Sequence, residues 1–416
     1  MKVYLRTFGC RANHYDTEAV RAMVTSSGHE IVASVTDADA AVFNSCAVTA
    51  AAEAELRKVV RRAARERPAL RSVVMGCAAA LDDSRDAARR IRDLPTVGAV
   101  VGGADLPSVA VALGLPASSR GPGTTQTSTR ALLRIQDGCD EHCTFCATTI
   151  ARGDNRSRAA DALIDEAQAL AASHAEIVIT GIHIGSYGSD AGSSLGALLT
   201  RLVRDVPAAR FRLSSIEATE IDARVADLLV SAPDHVVPHI HAPLQSGSDR
   251  LLRRMGRHWY TSATYSAAVE RLASEMGALG LGADVITGFP GETDADHAQT
   301  IATVERLPFT YLHVFPYSER PGTAAARLAN RVSPAVAGAR AAALRSIASR
   351  KAAQYEAARI GGLADVIVVG GGDRRQGLTG DYLTVLPADA TRPRGARFTA
   401  RLERGAASLV ARPVPS

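Results

Sequence analysis

Short apolar runs of strand length alternate with longer amphipathic stretches along most of the chain. In the first 116 residues, the runs Lys2 to Phe8, Ala40 to Phe43 and Ser72 to Met75 each lead directly to a cysteine, through Gly9-Cys10, Asn44-Ser45-Cys46 and Gly76-Cys77. Between them, Asp16 to Ser27 and Ala50 to Arg67 carry helix signals, the first opened by acidic residues and ended at Gly28, the second stopped by Pro68. Strands that alternate with helices predict a parallel sheet with right-handed crossovers. Every strand of such a sheet ends on the edge where α/β folds bind ligands. The three cysteines are therefore expected to converge, against the plainer alternative that each is a small core residue.

Gly114 to Thr129 is small, polar and rich in Gly, Pro, Ser and Thr, a linker composition. A second alternating series follows. Strands are expected at Ala131 to Gln136, Glu176 to Thr180, Phe211 to Glu217, His239 to Leu244, Leu281 to Thr287 and Tyr311 to Tyr317. Helices are expected at Ala159 to Ala172, Leu195 to Val206, Thr261 to Met276 and Ala295 to Leu307. About six strand-helix units predict a full or partial TIM-type barrel, whose functional residues lie at the C-terminal strand ends. An alanine- and arginine-rich helix, about Pro334 to Ile360, leads into four short β runs separated by Gly, Pro and Asp. These predict a small OB-like barrel, a common nucleic-acid binder, with a domain that merely packs on the larger barrel as the lesser alternative.

Composition narrows the class. At 416 residues the chain should form two or three domains, and its 46% hydrophobic and 22% charged content is that of a globular protein. The apolar runs fall short of the roughly 20 residues that span a bilayer, and no export signal is visible, so a cytoplasmic location is expected. The net charge of +5 favours a polyanionic partner weakly. The basic runs Arg57-Lys58, Arg61-Arg62 and Arg89-Arg90 fit a solvated helix face as well as an RNA footprint. Six cysteines in a reducing compartment point to metal binding or chemistry before disulfides.

Three of those cysteines, Cys139, Cys143 and Cys146, lie in one loop just after the first barrel strand. Three thiolates leave one coordination position open, whereas structural zinc takes four ligands, commonly from paired CxxC knuckles. No second pair lies near this loop, which favours an iron-sulfur cluster at the barrel mouth over zinc. His183, His239, His241 and His313 lie on or just past barrel strands and read as substrate-facing or core residues.

RIQDGCDEHCTFC resembles the cluster loop of the radical S-adenosylmethionine (SAM) superfamily. TFGCRANHYDTE, FNSCAVT, MGCAAAL, ARGDNRSR and HAPLQSGSDRLLRRM resemble its methylthiotransferase branch, and the six cysteines fall on that family's six cluster-ligand positions. The resemblance implies a methylthiotransferase N-terminal domain at 1–116, a radical SAM core at 125–356 and a TRAM domain at 357–416. It implies two 4Fe-4S clusters: one on Cys139, Cys143 and Cys146, which binds and cleaves SAM, and one on Cys10, Cys46 and Cys77, which carries the sulfur to be transferred. TGIHIGSYG, LSSIEATEI and VFPYSERPGT are similar to the members that modify N6-threonylcarbamoyladenosine beside the tRNA anticodon.

Further roles follow from the same resemblance. Phe145 would lie against the adenine of SAM, Gly181 and Ile182 would let backbone approach it, and Glu217 and Gln245 would bond its ribose or amino acid part. Asp284 belongs to the same strand-end edge, and Arg152, Arg156 and Arg158 could pair with the SAM carboxylate or with tRNA phosphate. Partners would be tRNA, a flavodoxin-like electron donor and a sulfur donor. The alternatives are a methylthiotransferase acting on another modified adenosine or on a ribosomal protein side chain, and a nonenzymatic metal-containing RNA-binding module. Two departures stand out: Thr149 replaces the family's proline after the third loop cysteine, and the tail is a spare TRAM.

Overall fold

The computed structural model describes residues 1–47, 49–81, 90–116, 126–370, 375–406 and 408–415. Arg89, residues 117–125 of the expected linker, and the last two glycines of the first tail run lie outside the described residues. The chain divides into two compact units. One comprises Met1–Thr127, Gln136–Arg156 and Ser318–Arg327; the other comprises Ser128–Ile135, Ser157–Tyr317 and Leu328–Ser416.

The first unit is built on five parallel strands: β1 (Lys2–Thr7), β2 (Glu30–Val32), β3 (Ala40–Ser45), β4 (Arg71–Gly76) and β5 (Val97–Gly102), in the order β2-β1-β3-β4-β5. Its helices are α1 (Arg11–Ser26), α2 (Ala50–Glu66), the single turn α3 (Cys77–Ala80), α4 (Leu106–Leu113) and the short α5 (Thr148–Arg152). Successive residues of β4 face opposite ways. Val74 joins Phe43, Leu56 and Val60 on one side of the sheet, while Val73 and Met75 join Val20, Met23, Val109 and Leu113 on the other.

Helix α1 begins at Arg11, five residues before its sequence signal. Its first turns read as polar because Asn13, Asp16 and Thr17 are buried against other polar groups instead of forming an apolar stripe. Strand β2 is too short to leave a pattern, and β5 (VGAVVG) has glycines that dilute its strand propensity.

The second unit carries the barrel strands β6 (Ala131–Arg134), β7 (Glu176–Thr180), β8 (Arg210–Leu213), β9 (His239–His241), β10 (Gly280–Thr287) and β11 (Tyr311–Pro316). Two parallel triplets, β6-β7-β8 and β9-β10-β11, are joined by the bridges Phe211–Val236 and Ser215–His241. This gives a partial barrel in chain order. Between the strands run α6 (Ala160–Ala171), α7 (Leu195–Asp205), α8 (Ala223–Ser231), α9 (Asp249–Arg254), α10 (Ser262–Glu275) and α11 (Asp294–Arg306), and α12 (Pro334–Arg359) follows. Helices α8 and α9 have no counterpart in the sequence pattern. Strand β9 stops at His241, short of the expected Leu244, because Pro243 has no N–H to give a ladder and Gln245 turns into the left-handed region at φ +59.

The tail forms five strands where four runs were expected, because GLTGDYLTVLP turns back on itself. They are β12 (Leu363–Val368), β13 (Gly377–Thr379), β14 (Thr384–Pro387), β15 (Arg397–Arg404) and β16 (Leu409–Pro413), closed into a barrel. Within this unit the two barrels are joined by buried charge. Glu176, Arg210 and Arg212 are fully buried, with Glu176 paired to Arg210 at 2.7 Å and to Arg212 at 2.8 Å. Arg212 donates to the carbonyls of Gly380 and Thr379, and Arg210 pairs with Asp365 at 2.6 Å. Burial alone would raise the Glu176 carboxyl, but the two guanidiniums outweigh it and hold the group well below the usual range. Among the described residues, no helix is long and apolar enough to cross a membrane.

Glu176→Ala would strand both arginines without their counter-charge. The expected loss is about 3–5 kcal/mol of stability, measured by chemical denaturation; a change within experimental error would show that the pair is dispensable.

Candidate functional site

The first unit brings both cysteine groups of the sequence into one folded body. Cys10, Cys46 and Cys77 follow β1, β3 and β4, which are immediate neighbours in the sheet. Cys10 is the N-cap of the 16-residue helix α1. Its Sγ lies 3.1 Å from Asn13 Oδ1. Gly9, at φ +105, is required twice over: a side chain there would be strained, and its Cβ would lie 2.5 Å from the Cβ of Cys46.

Behind the thiols, Asn13 Nδ2 donates to Asn44 Oδ1 at 2.8 Å and to the Ser45 carbonyl at 2.9 Å, while Asn44 Nδ2 returns a bond to the Asn13 carbonyl at 2.7 Å. This buried amide pair ties α1 to β3 behind Cys10 and Cys46. Burial pushes the Cys77 thiol up to about 11; the Arg152 guanidinium opposes this, and the Cys10 and Cys46 thiols add to it. The Cys10 and Cys46 thiols thus lie within electrostatic reach of Cys77. Three sulfur donors with a cation beside one of them suit thiolate ligation of iron or zinc.

Cys139, Cys143 and Cys146 are half-buried on a loop that is stitched to the segment after it. The Cys139 N–H donates to the Gly153 carbonyl at 3.0 Å, the Asn155 N–H to Asp140 Oδ1 at 2.8 Å, and Gln136 Nε2 to Asn155 Oδ1 at 2.6 Å. Gly138, at φ +75, sits so close that a Cβ would lie 1.8 Å from the Asp154 carbonyl oxygen. Thr149 falls in the second position of α5, where its hydroxyl donates to the Glu141 carbonyl at 3.3 Å. That bond restrains the loop in place of the ring a proline would supply. Phe145, between the second and third cysteines, is half-buried.

Arg152 departs from its expected role. Its side chain is 1% exposed and is held by Asp16 at 2.7 Å, Asp137 at 3.3 Å and Cys77 Sγ at 3.3 Å, so it does not face RNA. Arg158 is engaged by the Arg134 carbonyl and Glu166. Arg156 is the exposed member of the three and bonds to the Asp154 and Arg152 carbonyls. Arg320, from the Ser318–Arg327 segment, is buried in the same unit, pairs with Glu53 and lies within electrostatic reach of Cys46. Asp16, Asp137, Asn13, Asn44 and Glu53 were not singled out from sequence, since lone polar residues carry no spacing signal.

In the second unit, Gly181 and Ile182 are half-buried just past β7. Glu217 is buried and bonded to Arg257, and burial raises its carboxyl despite that partner. Gln245 combines burial with its left-handed backbone, a strain that functional positions often hold. Asp284 lies within β10, three residues short of its end, not at the strand-end edge expected from sequence. It accepts from His241 at 3.1 Å and His313 at 3.2 Å, and the two imidazoles outweigh burial to keep it a carboxylate. His239 and His241 also contact the Tyr311 hydroxyl, at 2.8 and 3.1 Å. These histidines form a linked polar wall, an arrangement their scattered sequence positions did not reveal.

Residues 2–101 match the family described as Uncharacterized protein family UPF0004, and residues 133–304 match the Radical SAM superfamily. The chain is 36% identical over 374 residues to the threonylcarbamoyladenosine tRNA methylthiotransferase MtaB of Bacillus subtilis, covering 85% of this chain and 81% of that protein. It is 34% identical over 343 residues to the Thermotoga maritima protein of the same name (78% and 77% covered). It is also 33% identical over 414 residues to the tRNA-2-methylthio-N(6)-dimethylallyladenosine synthase of Sorangium cellulosum (88% and 81% covered). Among solved structures, the fold resembles the radical S-adenosylmethionine methyltransferase TsrM of Kitasatospora setae, with a TM-score of 0.57, 15% identity, and 78% of this chain and 76% of that chain covered.

Fold and cysteine loop together define a radical SAM enzyme, with an iron-sulfur cluster and SAM as cofactors. Within that class the chain belongs to the radical SAM methylthiotransferases that modify tRNA.

Asn44→Ala removes the buried amide on which Asn13 depends. An expected loss of about 1–3 kcal/mol follows from leaving Asn13 unsatisfied, measurable by urea denaturation of the apoprotein; unaltered stability would mean the pair does not support the cysteines.

Proposed function

We propose that this enzyme places a methylthio group on C2 of N6-threonylcarbamoyladenosine at position 37 of tRNA, in the cytoplasm, using two 4Fe-4S clusters. The observation that carries the reading is the pair of three-thiol groups, each with the donor number that leaves one iron open to a further ligand. Cys139, Cys143 and Cys146 would hold the first cluster, which when bound supplies the electron that splits SAM to a 5'-deoxyadenosyl radical. Cys10, Cys46 and Cys77 would hold the second and present the sulfur. The N6-threonylcarbamoyl preference rests on the several relatives that bear that name, with the dimethylallyl derivative as the second reading because other relatives act there.

Gly181, Ile182 and Gln245 are the proposed contacts of the second unit to SAM. Asp284 is a proposed contact that its histidines keep anionic, suited to a hydroxyl or ammonium donor. Domain boundaries at 1–116, 125–356 and 357–416 are proposed with this function; the two family matches fall inside the first two. The closed tail barrel supports tRNA binding, and an electron donor and a sulfur donor are required by the chemistry.

Nucleoside mass spectrometry of tRNA from a strain lacking the gene should show the 2-methylthio derivative gone and its N6-threonylcarbamoyl precursor accumulating; unchanged tRNA rejects the substrate. Anaerobically reconstituted protein should hold about eight iron atoms per chain. Alanine at Cys139, Cys143 and Cys146 should abolish SAM cleavage, and alanine at Cys10, Cys46 and Cys77 should leave cleavage intact while stopping thiolation. Thiolation by the second variant would remove the role given to those three cysteines.

A further inference from the structure

Arg152 directs one guanidinium at three groups. Its Nη2 donates to Asp16 of α1, the helix that Cys10 caps; its Nη1 faces Asp137, two residues before Cys139; its Nε donates to Cys77 Sγ at 3.3 Å. The side chain is 1% exposed. We propose that Arg152 is a positioning residue that sets the reduction potential of the group held by Cys10, Cys46 and Cys77. The inference rests on the two-cluster reading above.

The physical basis is the N–H···S bond. A donor aimed at a ligating sulfur stabilises the more electron-rich, reduced state and so raises the potential. The two aspartates offset much of the guanidinium's charge at longer range, which leaves the aimed Nε–H as the main influence on Cys77. The same aspartates fix the plane of the guanidinium, and with it the direction of Nε. Arginine suits the place because its planar fork presents separate N–H groups to separate partners. Lysine keeps the charge but ends in one ammonium on a flexible stem, and it cannot hold two carboxylates and a sulfur in these three directions. The position also accounts for an arginine buried just after the third loop cysteine, where SAM or RNA would have been the simpler expectation.

The test uses the full chain with Cys139, Cys143 and Cys146 changed to Ala, so that one cluster is read alone, reconstituted anaerobically. Iron and acid-labile sulfide are counted, and the midpoint potential is measured by redox titration followed by electron paramagnetic resonance. Arg152→Lys is expected to hold about four iron atoms, like its parent, and to show a lower midpoint. Equal loading with an unmoved midpoint overturns the inference. Should Arg152→Lys fail to fold, Asp137→Asn carries the test, because the amide keeps an oxygen to accept from Nη1, so that Nε stays aimed at Cys77, while one counter-charge is removed. A raised midpoint is then expected, and an unmoved one overturns the inference. A parent that takes up no iron and sulfide overturns instead the two-cluster reading.

Discussion

Parallel pairing of neighbouring strands is the constraint on which the first unit depends. Strands β1, β3 and β4 run the same way and lie side by side, so their C-terminal ends share one edge. A thiol placed just beyond each end meets the other two without any loop having to reach for it. The amides of Asn13 and Asn44 and the glycine at position 9 refine the arrangement, but they act on positions the register has already fixed. An antiparallel pairing would send one of the three to the opposite edge.

Buried charge plays a second organising part, once in each unit. Taking ions out of water is costly, and a buried pair is retained where it holds specific partners in a specific arrangement. Arg210 and Arg212 meet that condition around Glu176, since their remaining donors end on Asp365 and on the carbonyls of the tail barrel. Arg152 meets it between Asp16 and Asp137. In both places apolar packing would supply cohesion, but it would not select one orientation of the joined elements.

What could be read from the sequence follows this division. Repeated strand-to-cysteine endings made the convergence of Cys10, Cys46 and Cys77 legible, because register follows from pattern once a sheet is parallel. The barrel order was legible for the same reason. Buried polar partners were not: Asn13 and Asp16 look like ordinary surface residues until the fold places them inside. Arg152 was misread through the same gap, since an arginine after a cofactor loop suggests an exposed anion contact and nothing local announces a carboxylate from α1, 136 residues away. The histidine partners of Asp284 were not legible either, because they lie on adjacent strands and become its neighbours only through pairing.

The first unit is assembled from three separate stretches of chain, the last of them Ser318–Arg327. Its sheet can form early in synthesis, whereas Arg320, which pairs with Glu53 near Cys46, is made more than two hundred residues after Cys77. For that interval Glu53 lacks the buried cation it pairs with in the finished unit, so the charge around Cys46 is completed only after the barrel strands have been made.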